Sequence, residues 1–311
     1  MYLTEEKLLQ WSLQGSTDLS SNAYHFIKDN IFRTDFVKTH SDDIEVYLQG
    51  SYANSTNIKN DSDVDIIVQY NGVFMYDDSA LSDVKKRERN NFYSKATLTF
   101  NDYKDLIYTQ LKVVLAGHSR VKQIQYKAKS IKISLQNPSI EVDVVPCFIY
   151  KKYKSFSLFS PDSPIHYVEG IAFRNTNNND LIVNFPKEHI KNGEEKNSKE
   201  NTNHQFKRTV RFIKKIKSLL VDKGYINEKR VGSYFIENLI YNIPNYCFEN
   251  SCLKTLNNII RYLKLVANLE TFICQHRQWG LFGETSTTWN TDDARCFIEL
   301  LAGVERGTIS L

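Results

Sequence analysis

Two aspartates separated by one residue stand at the start of an apolar run. Asp63-Val64-Asp65 leads into IIVQY, a sequence typical of a buried strand. Side chains i and i+2 of a strand point to the same face, so the two carboxylates lie side by side. Like charges held together repel each other, and a divalent cation relieves the repulsion. The pattern predicts a strand-borne site for Mg²⁺, which keeps waters and completes its shell with substrate phosphates.

A third carboxylate lies in a later apolar segment, EVDVVP, where valines flank Asp143. An aspartate inside a buried strand needs a partner. If this strand neighbours the strand of Asp63, three carboxylates converge. Three can hold two metal ions, which stabilise the attacking and leaving oxygens of an in-line phosphoryl transfer. Glu141 shares the face of Asp143 by parity, but we expect it to lie outside the metal ligands.

Gly50 ends the strand that precedes the aspartates, Ser51 follows it, and eleven residues separate Ser51 from Asp63. A glycine at a strand end lets a phosphate approach the backbone closely. The serine hydroxyl and the amides that follow it are suited to hold the β- and γ-phosphates of a nucleotide. We therefore predict a phosphate-binding turn at 51–57.

The first half of the chain reads as an α/β lobe. Helical spacing covers 4–34, and a second helical stretch covers 82–116 with a break near 97–102. A turn at Asn137-Pro138 joins two of the predicted strands. Strands are predicted at 44–50, 63–70, 130–135 and 140–150.

The second half reads as mostly helical. Short strands are predicted within 164–186 around a polar loop, and the polar stretch 191–203 is predicted to be a loop. Three helices are expected at 205–220, 233–243 and 253–273. The fold class is mixed α+β. We expect a catalytic lobe with a small sheet at 1–190, an N-terminal helix packed across both lobes, and a helical lobe at 191–311 that closes the nucleotide cleft.

Composition narrows the functional classes further. The net charge of +4 is too small to indicate nucleic-acid binding. The five cysteines include no Cys-x-x-Cys pair, so neither a disulfide framework nor a zinc ribbon is indicated. The N-terminal segment is charged and lacks the apolar core of a signal peptide, and no apolar stretch is long enough for a membrane span. We expect a cytoplasmic protein that does not associate with membranes.

The segment GSYANSTNIKNDSDVDIIV resembles the signature of the DNA polymerase β-like nucleotidyltransferases. Within that superfamily, the chain resembles the CD-NTases, the bacterial relatives of cyclic GMP–AMP synthase. Four segments carry the closer resemblance: DVVP (143–146), FPKEH (185–189), FKRTVRFIKKIK (206–217) and GSYFIENL (232–239). Together with the first segment they cover roughly 45–245 in the order typical of the family.

The resemblance implies roles for individual residues. Asp63, Asp65 and Asp143 would be catalytic and would bind two Mg²⁺ ions, for which Mn²⁺ can substitute. Phosphate would be bound by five positions: Gly50, Ser51, Arg211, Lys214 and Ser233. Tyr234 would stack on a base.

The expected reaction is attack of a ribose hydroxyl on the α-phosphate of a nucleoside triphosphate, with release of pyrophosphate. A second round would give a cyclic dinucleotide, or a trinucleotide. The resemblance implies bacterial anti-phage signalling in which the diffusible product activates a separate effector. Two alternatives stay open: a template-independent nucleotidyltransferase that extends RNA ends or oligomerises adenylate, and an inactive nucleotide- or RNA-binding relative.

Overall fold

The structure is a computed structural model that describes residues 3–15, 17–58, 63–158, 164–283 and 288–311. The chain forms two compact units, which we call the sheet unit and the helical unit. The sheet unit contains Thr17–Gly50 and Ser62–Lys187. The helical unit contains Met1–Ser16, Ser51–Asp61 and Glu188–Leu311.

The described helices and strands follow one another along both units. In chain order they are α1 (Glu5–Trp11), α2 (Asp18–Ile31), α3 (Asp35–Thr39), β1 (Ile44–Gln49), α4 (Gly50–Ala53), β2 (Asp63–Asp77), α5 (Asp83–Phe92), α6 (Phe100–Val114), β3 (Val121–Tyr126), β4 (Ile131–Leu135), β5 (Ile140–Ser155), β6 (His166–Arg174), β7 (Leu181–Asn184), α7 (Pro186–Asn197), α8 (Lys199–Thr202), α9 (Gln205–Asp222), α10 (Ser233–Tyr241), α11 (Cys252–Leu265) and α12 (Thr291–Glu305). Short 3-10 turns cover Ser41–Asp43, Glu228–Arg230, Asn245–Cys247 and Leu269–Thr271.

Within the described residues, the sheet unit is built on one seven-stranded mixed sheet with the path β1-β2-β5-β4-β3. Strand β6 pairs with β5, and β7 pairs with β6. The β2–β5 pairing is parallel and the other pairings are antiparallel. Helices α2 and α6 pack against the central strands. The mixed α+β class predicted from the sequence is confirmed.

The core of the helical unit forms around α9. Its apolar positions, including Val210, Ile213 and Ile216, are fully buried. Leu8 of α1 joins the same core, and α10, α11 and α12 complete it. The spacing of apolar residues in 205–220 predicts this burial, because positions three and four apart share one helix face.

Three helical predictions need adjustment of their bounds. The stretch 4–34 forms α1 and α2 as separate helices. The stretch 82–116 forms α5 and α6, and a capping box between Thr99 and Asp102 begins α6 within the predicted break. The helix predicted at 253–273 ends at Leu265 as α11. Strand β3 was not predicted, because most of its side chains are polar and its burial shows no alternation.

The prediction of a loop at 191–203 is wrong, since α7 and α8 occupy most of it. Tertiary contacts outweigh its polar composition. Asn192 donates through Nδ2 to the carbonyl of Gln275 at 2.8 Å, and Lys196 donates to the carbonyl of Ile243 at 2.6 Å. A Cβ at Gly193 would collide with the amide of Gln275, so glycine permits this close packing.

No helix in the described part of the chain is both long enough and apolar enough to span a membrane.

Candidate active site

The predicted aspartates meet on two neighbouring parallel strands. Asp65 of β2 is the register partner of Asp143 of β5, and Asp63 is the partner of Glu141. Register partners on adjacent strands point to the same face and stand about 5 Å apart. The condition on which convergence of the three carboxylates depends, that the strand of Asp143 neighbours the strand of Asp63, is therefore met.

The two faces of these strands differ in character. Val64, Ile66, Val142 and Val144 alternate with the carboxylates and are fully buried. The carboxylate face stays partly open, and the Asp143 side chain is 20% exposed. The apolar residues fix the register of the pair, since a one-residue slip would bury the acids and expose the valines.

Strand β4 and the residue before it supply the immediate partners of Asp143. Ser130 donates its hydroxyl to Oδ1 of Asp143 at 2.7 Å. The ammonium of Lys132 lies 3.6 Å from Oδ2 of Asp143 and 3.9 Å from Oε2 of Glu141, which also accepts from Ser134. Asp143 therefore keeps acceptor capacity toward the open face, because a carboxylate has about four acceptor positions.

Gly50 makes room for Asp65. Its φ of +74° lies in the left-handed region, and a Cβ built on it would lie 2.5 Å from Oδ2 of Asp65. Gln49, the residue before it, is the register partner of Asp65 on β1. A larger residue at position 50 would displace the carboxylate and strain the turn.

The residues predicted to hold phosphate lie largely in the helical unit. The segment 51–57, which we call the serine turn, begins in α4 and closes where the amide of Thr56 donates to the carbonyl of Ser51 at 2.9 Å. Ser233 is exposed at the first position of α10. Tyr234 follows it half-buried, and burial raises the pKa of its phenol.

Arg211 and Lys214 are buried in α9 and hold the serine turn. Arg211 donates through Nε to the carbonyl of Ser12 and through Nη1 to the carbonyl of Ser55, both at 2.6 Å. Lys214 donates to the carbonyl of Thr56 at 2.9 Å. Burial, together with the charge of Arg208, lowers the pKa of Arg211 to about 10. Both cations thus stand behind the turn that contains Ser51.

A buried acid, Glu237, lies one helical turn after Ser233. It accepts hydrogen bonds from the hydroxyl of Thr56, from Nδ2 of Asn54 at 3.2 Å and from Nε2 of His189 at 3.0 Å. Burial pushes the pKa of Glu237 upward, but the hydrogen bond and charge of His189 and the charge of Lys214 outweigh it. The pKa therefore lies below its ordinary value, and the group is ionised.

Comparison with known proteins places this geometry in a family. Residues 31–161 match the family model described as a nucleotidyltransferase domain. Residues 191–304 match the model of the cGAS/DncV-like nucleotidyltransferase C-terminal helical domain. A cyclic nucleotide synthase of Staphylococcus haemolyticus is 35% identical, over 96% of this chain and 97% of the relative. The chain belongs to the CD-NTase family.

Further relatives of this CD-NTase match over nearly the whole chain. A cyclic UMP-AMP synthase of Rhodothermus marinus is 34% identical, over 97% of both chains. The solved structure of a Rhodothermus marinus synthase of this kind has a TM-score of 0.82 at 33% identity, covering 99% of this chain and 98% of the other. A cyclic dinucleotide synthase of Elizabethkingia meningoseptica has a TM-score of 0.72 at 29% identity, covering 96% and 97%. The protein is a nucleotidyltransferase.

Enzymes of the nucleotidyltransferase family use divalent metal ions. In the described part of this CD-NTase, no three His, Cys, Asp or Glu side chains are gathered closely enough to enclose an ion. The donor set nevertheless fits a hard cation, because Asp63, Asp65 and Asp143 offer only carboxylate oxygens on one partly open face. The absence of a side chain at Gly50 allows the Asp65 carboxylate to take its position on this face.

Sequence reasoning missed the residues that surround these positions. Glu237 was not singled out, although it stands among apolar residues of a helix, the kind of signal that identified Asp143 in its strand. His189 is 3% exposed and pairs with Glu237, a contact that no local sequence pattern indicates. Ser130 and Lys132 carry no local signal, since only the β4–β5 pairing brings them to Asp143.

Proposed function

We propose that this CD-NTase joins two nucleoside triphosphates into a cyclic dinucleotide and releases pyrophosphate, with a cyclic trinucleotide as the variant product. The observation that carries the proposal is the alignment of Asp65 with Asp143 on parallel strands. The named relatives support it, since their structures were solved with Apcpp and Upnpp, or with GTP and Apcpp. Nucleoside triphosphates are therefore the proposed substrates.

The proposed chemistry is two in-line displacements at phosphorus. A 3′- or 2′-hydroxyl forms a bond to the α-phosphorus, the bond to pyrophosphate breaks, and the hydroxyl proton passes to solvent. Asp143 faces the attacking hydroxyl, and Ser130 holds its carboxylate in one orientation. When bound by Asp63, Asp65 and Asp143, divalent ions, Mg²⁺ or Mn²⁺, would neutralise charge on the reacting phosphate and the leaving pyrophosphate.

The other site residues bind and orient the nucleotide. The hydroxyls of Ser51 and Ser233 donate to phosphate oxygens, and Gly50 keeps the backbone clear beside Asp65. Arg211 and Lys214 contribute positive charge beside the serine turn, to whose backbone their head groups donate. His189 stacks on one side of the Tyr234 ring, so we place the base of the nucleotide on the other side.

The proposal includes the biological setting. The chain acts in the cytoplasm in bacterial anti-phage signalling, and its product reaches a separate effector by diffusion. The functional division at residue 190, with a catalytic lobe before it and a nucleotide-closing lobe after it, belongs to the same proposal.

Product analysis tests the reaction. Purified enzyme is incubated with Mg²⁺ and all four ribonucleoside triphosphates, one labelled at the α-phosphate in each reaction. Products are separated by thin-layer chromatography with and without phosphatase, and their masses are measured by mass spectrometry. We expect a phosphatase-resistant species whose mass equals two or three linked nucleoside monophosphates. A ladder of linear products, or activity only with added RNA, would favour the RNA-extending alternative. No pyrophosphate release under any condition would favour the inactive relative.

A further inference from the structure

Two short sequence segments that the family resemblance relies on meet in the helical unit. The Pro-x-x-His segment ends at His189 in α7, and the Gly-Ser-Tyr segment begins α10 with Ser233 and Tyr234. His189 and Tyr234 stack with ring centroids 5.2 Å apart and an interplanar angle of 25°. The same histidine hydrogen-bonds through Nε2 to Glu237, which follows Tyr234 by three residues on α10.

Glu237 extends this contact to the serine turn. Its Oε1 accepts from the hydroxyl of Thr56, and its Oε2 accepts from the amide of Asn54. The backbone amide of Thr56 in turn donates to the carbonyl of Ser51. A continuous path of contacts therefore runs from the Tyr234 ring through His189, Glu237 and Thr56 to Ser51.

Burial makes this path stiff. Glu237 and His189 are 4% and 3% exposed, and Thr56 is 1% exposed. An ionised carboxylate has no donor of its own, so Nε2 of His189 carries the hydrogen of their bond. Moving any one of these groups would leave a buried charge short of a hydrogen-bond partner, which is strongly unfavourable. The Tyr234 ring and the Ser51 backbone are thus held at a fixed separation.

We propose that His189, Glu237 and Thr56 are positioning residues that set the distance between the base-stacking ring of Tyr234 and the phosphate-binding hydroxyl of Ser51. The inference rests on the proposed function, in which those two groups bind opposite ends of one nucleotide. A nucleotide that engages both ends gains from the fixed separation, because less freedom is lost on binding. The two contacts are consequently coupled, and the coupling passes through the Thr56 hydroxyl and the Glu237 carboxylate.

A double-mutant cycle measures that coupling. Affinity for Apcpp and for Upnpp is determined by calorimetry for the unmutated enzyme, Ser51→Ala, Tyr234→Ala and the double variant. We expect the affinity loss of the double variant to differ from the product of the two single-variant losses by a factor of about three to ten, as for residues that share a network. We call this factor the coupling factor. The cycle is then repeated in a Thr56→Val background, where the coupling factor is expected to fall to about one.

Matched variants separate positioning from general stability. Thr56→Ser keeps the hydroxyl and should restore the coupling, while Glu237→Gln provides a second way to weaken the path if Thr56→Val folds poorly. Thr255→Val removes an equally buried hydroxyl of the same unit, one bonded to the backbone of Glu249. It should lower thermal stability and leave the coupling factor unchanged.

The outcomes distinguish this inference from the proposed function. Suppose that Ser51→Ala and Tyr234→Ala each weaken binding, but that the double variant with Thr56 intact loses affinity by the product of the two single losses. The positioning inference is then overturned, while the proposed function stands. It is also overturned alone if the coupling persists in both Thr56→Val and Glu237→Gln. If neither single variant changes affinity, the site assignment of the proposed function is overturned together with it.

Discussion

Carboxylates occur in two contrasting environments in this CD-NTase. On β2 and β5, acids share an open face, and Asp143 has one hydroxyl donor with the Lys132 ammonium 3.6 Å away. In the helical unit, Glu237 is 5% exposed at its side chain and accepts from three side chains, with Lys214 adding positive charge. The first environment leaves acceptor positions for an added cation, and the second fills them with protein groups.

The two environments suit different roles, one in binding a cation and the other in holding neighbouring groups in place. A carboxylate on an open face exchanges partners at small cost, since a solvent-accessible ion pair contributes only about 0–1 kcal/mol to stability. A saturated buried carboxylate cannot give up a partner without leaving an unpaired charge. This difference supports our proposals that the aspartates of the sheet carry the reaction and that Glu237 positions the nucleotide-binding groups.

The largest effect is expected when the open face loses its charge. Asp63→Asn combined with Asp65→Asn should abolish pyrophosphate release, because the amides cannot balance a divalent cation. The thermal stability without metal should hold or rise, since the change is nearly isosteric and removes like-charge repulsion. Pyrophosphate release by the folded double variant at a rate near that of the unmutated enzyme would remove these residues from the catalytic site.

Stability should fall much more when Glu237 is replaced than when Asp143 is replaced. Glu237→Leu removes one partner from a buried charge network and should lower the free energy of unfolding by about 3–5 kcal/mol. Asp143→Asn, at a partly exposed ion pair, should change it by less than about 1 kcal/mol. Urea unfolding of both variants beside the unmutated protein measures the difference. Equal losses for the two variants would mean that the two environments do not differ as described.

The contrast also explains how far sequence reasoning could go. Asp63, Asp65 and Asp143 are identifiable because each interrupts or begins an apolar strand, and parity places them on a face. The role of Gly50 is only partly predictable. The sequence shows that Gly50 ends a strand. It does not show that Gly50 accommodates the carboxylate of Asp65, which lies on the neighbouring strand β2.

Contacts between distant segments set the limit of such predictions. The partners of Glu237 lie 181 and 183 residues away at Thr56 and Asn54, and 48 residues away at His189. No local pattern encodes those distances. The basic residues of α9 show the same limit, because helical periodicity does not reveal that Arg211 and Lys214 are buried against backbone carbonyls.

A smaller effect is expected from acidification. Because the pKa of Glu237 is lowered by folding, its ionised form stabilises the protein at pH values above the ordinary glutamate pKa of about 4.3. That contribution is lost as the pH falls from there through the lower folded-state value. The stability difference between the unmutated protein and Glu237→Gln should therefore be constant near neutral pH and narrow below about pH 4.3.

Urea unfolding across this pH range, with Glu299→Gln as the control, measures the narrowing. Glu299 is 59% exposed in an ion pair with Lys264, so its substitution should produce a much smaller change with pH. A stability difference for Glu237→Gln that stays constant from pH 7 to about pH 3.5 would contradict an ionised Glu237 with a lowered pKa.

Binding of a divalent cation tests the central claim most directly. Free Mn²⁺ is measured by electron paramagnetic resonance during titration of the unmutated enzyme, Asp65→Asn, Asp143→Asn and Glu237→Gln, each without nucleotide. The account predicts that both aspartate variants weaken Mn²⁺ binding by about tenfold or more, while Glu237→Gln binds Mn²⁺ as the unmutated enzyme does. Unchanged Mn²⁺ affinity in both aspartate variants, or an equal loss in Glu237→Gln, would contradict it.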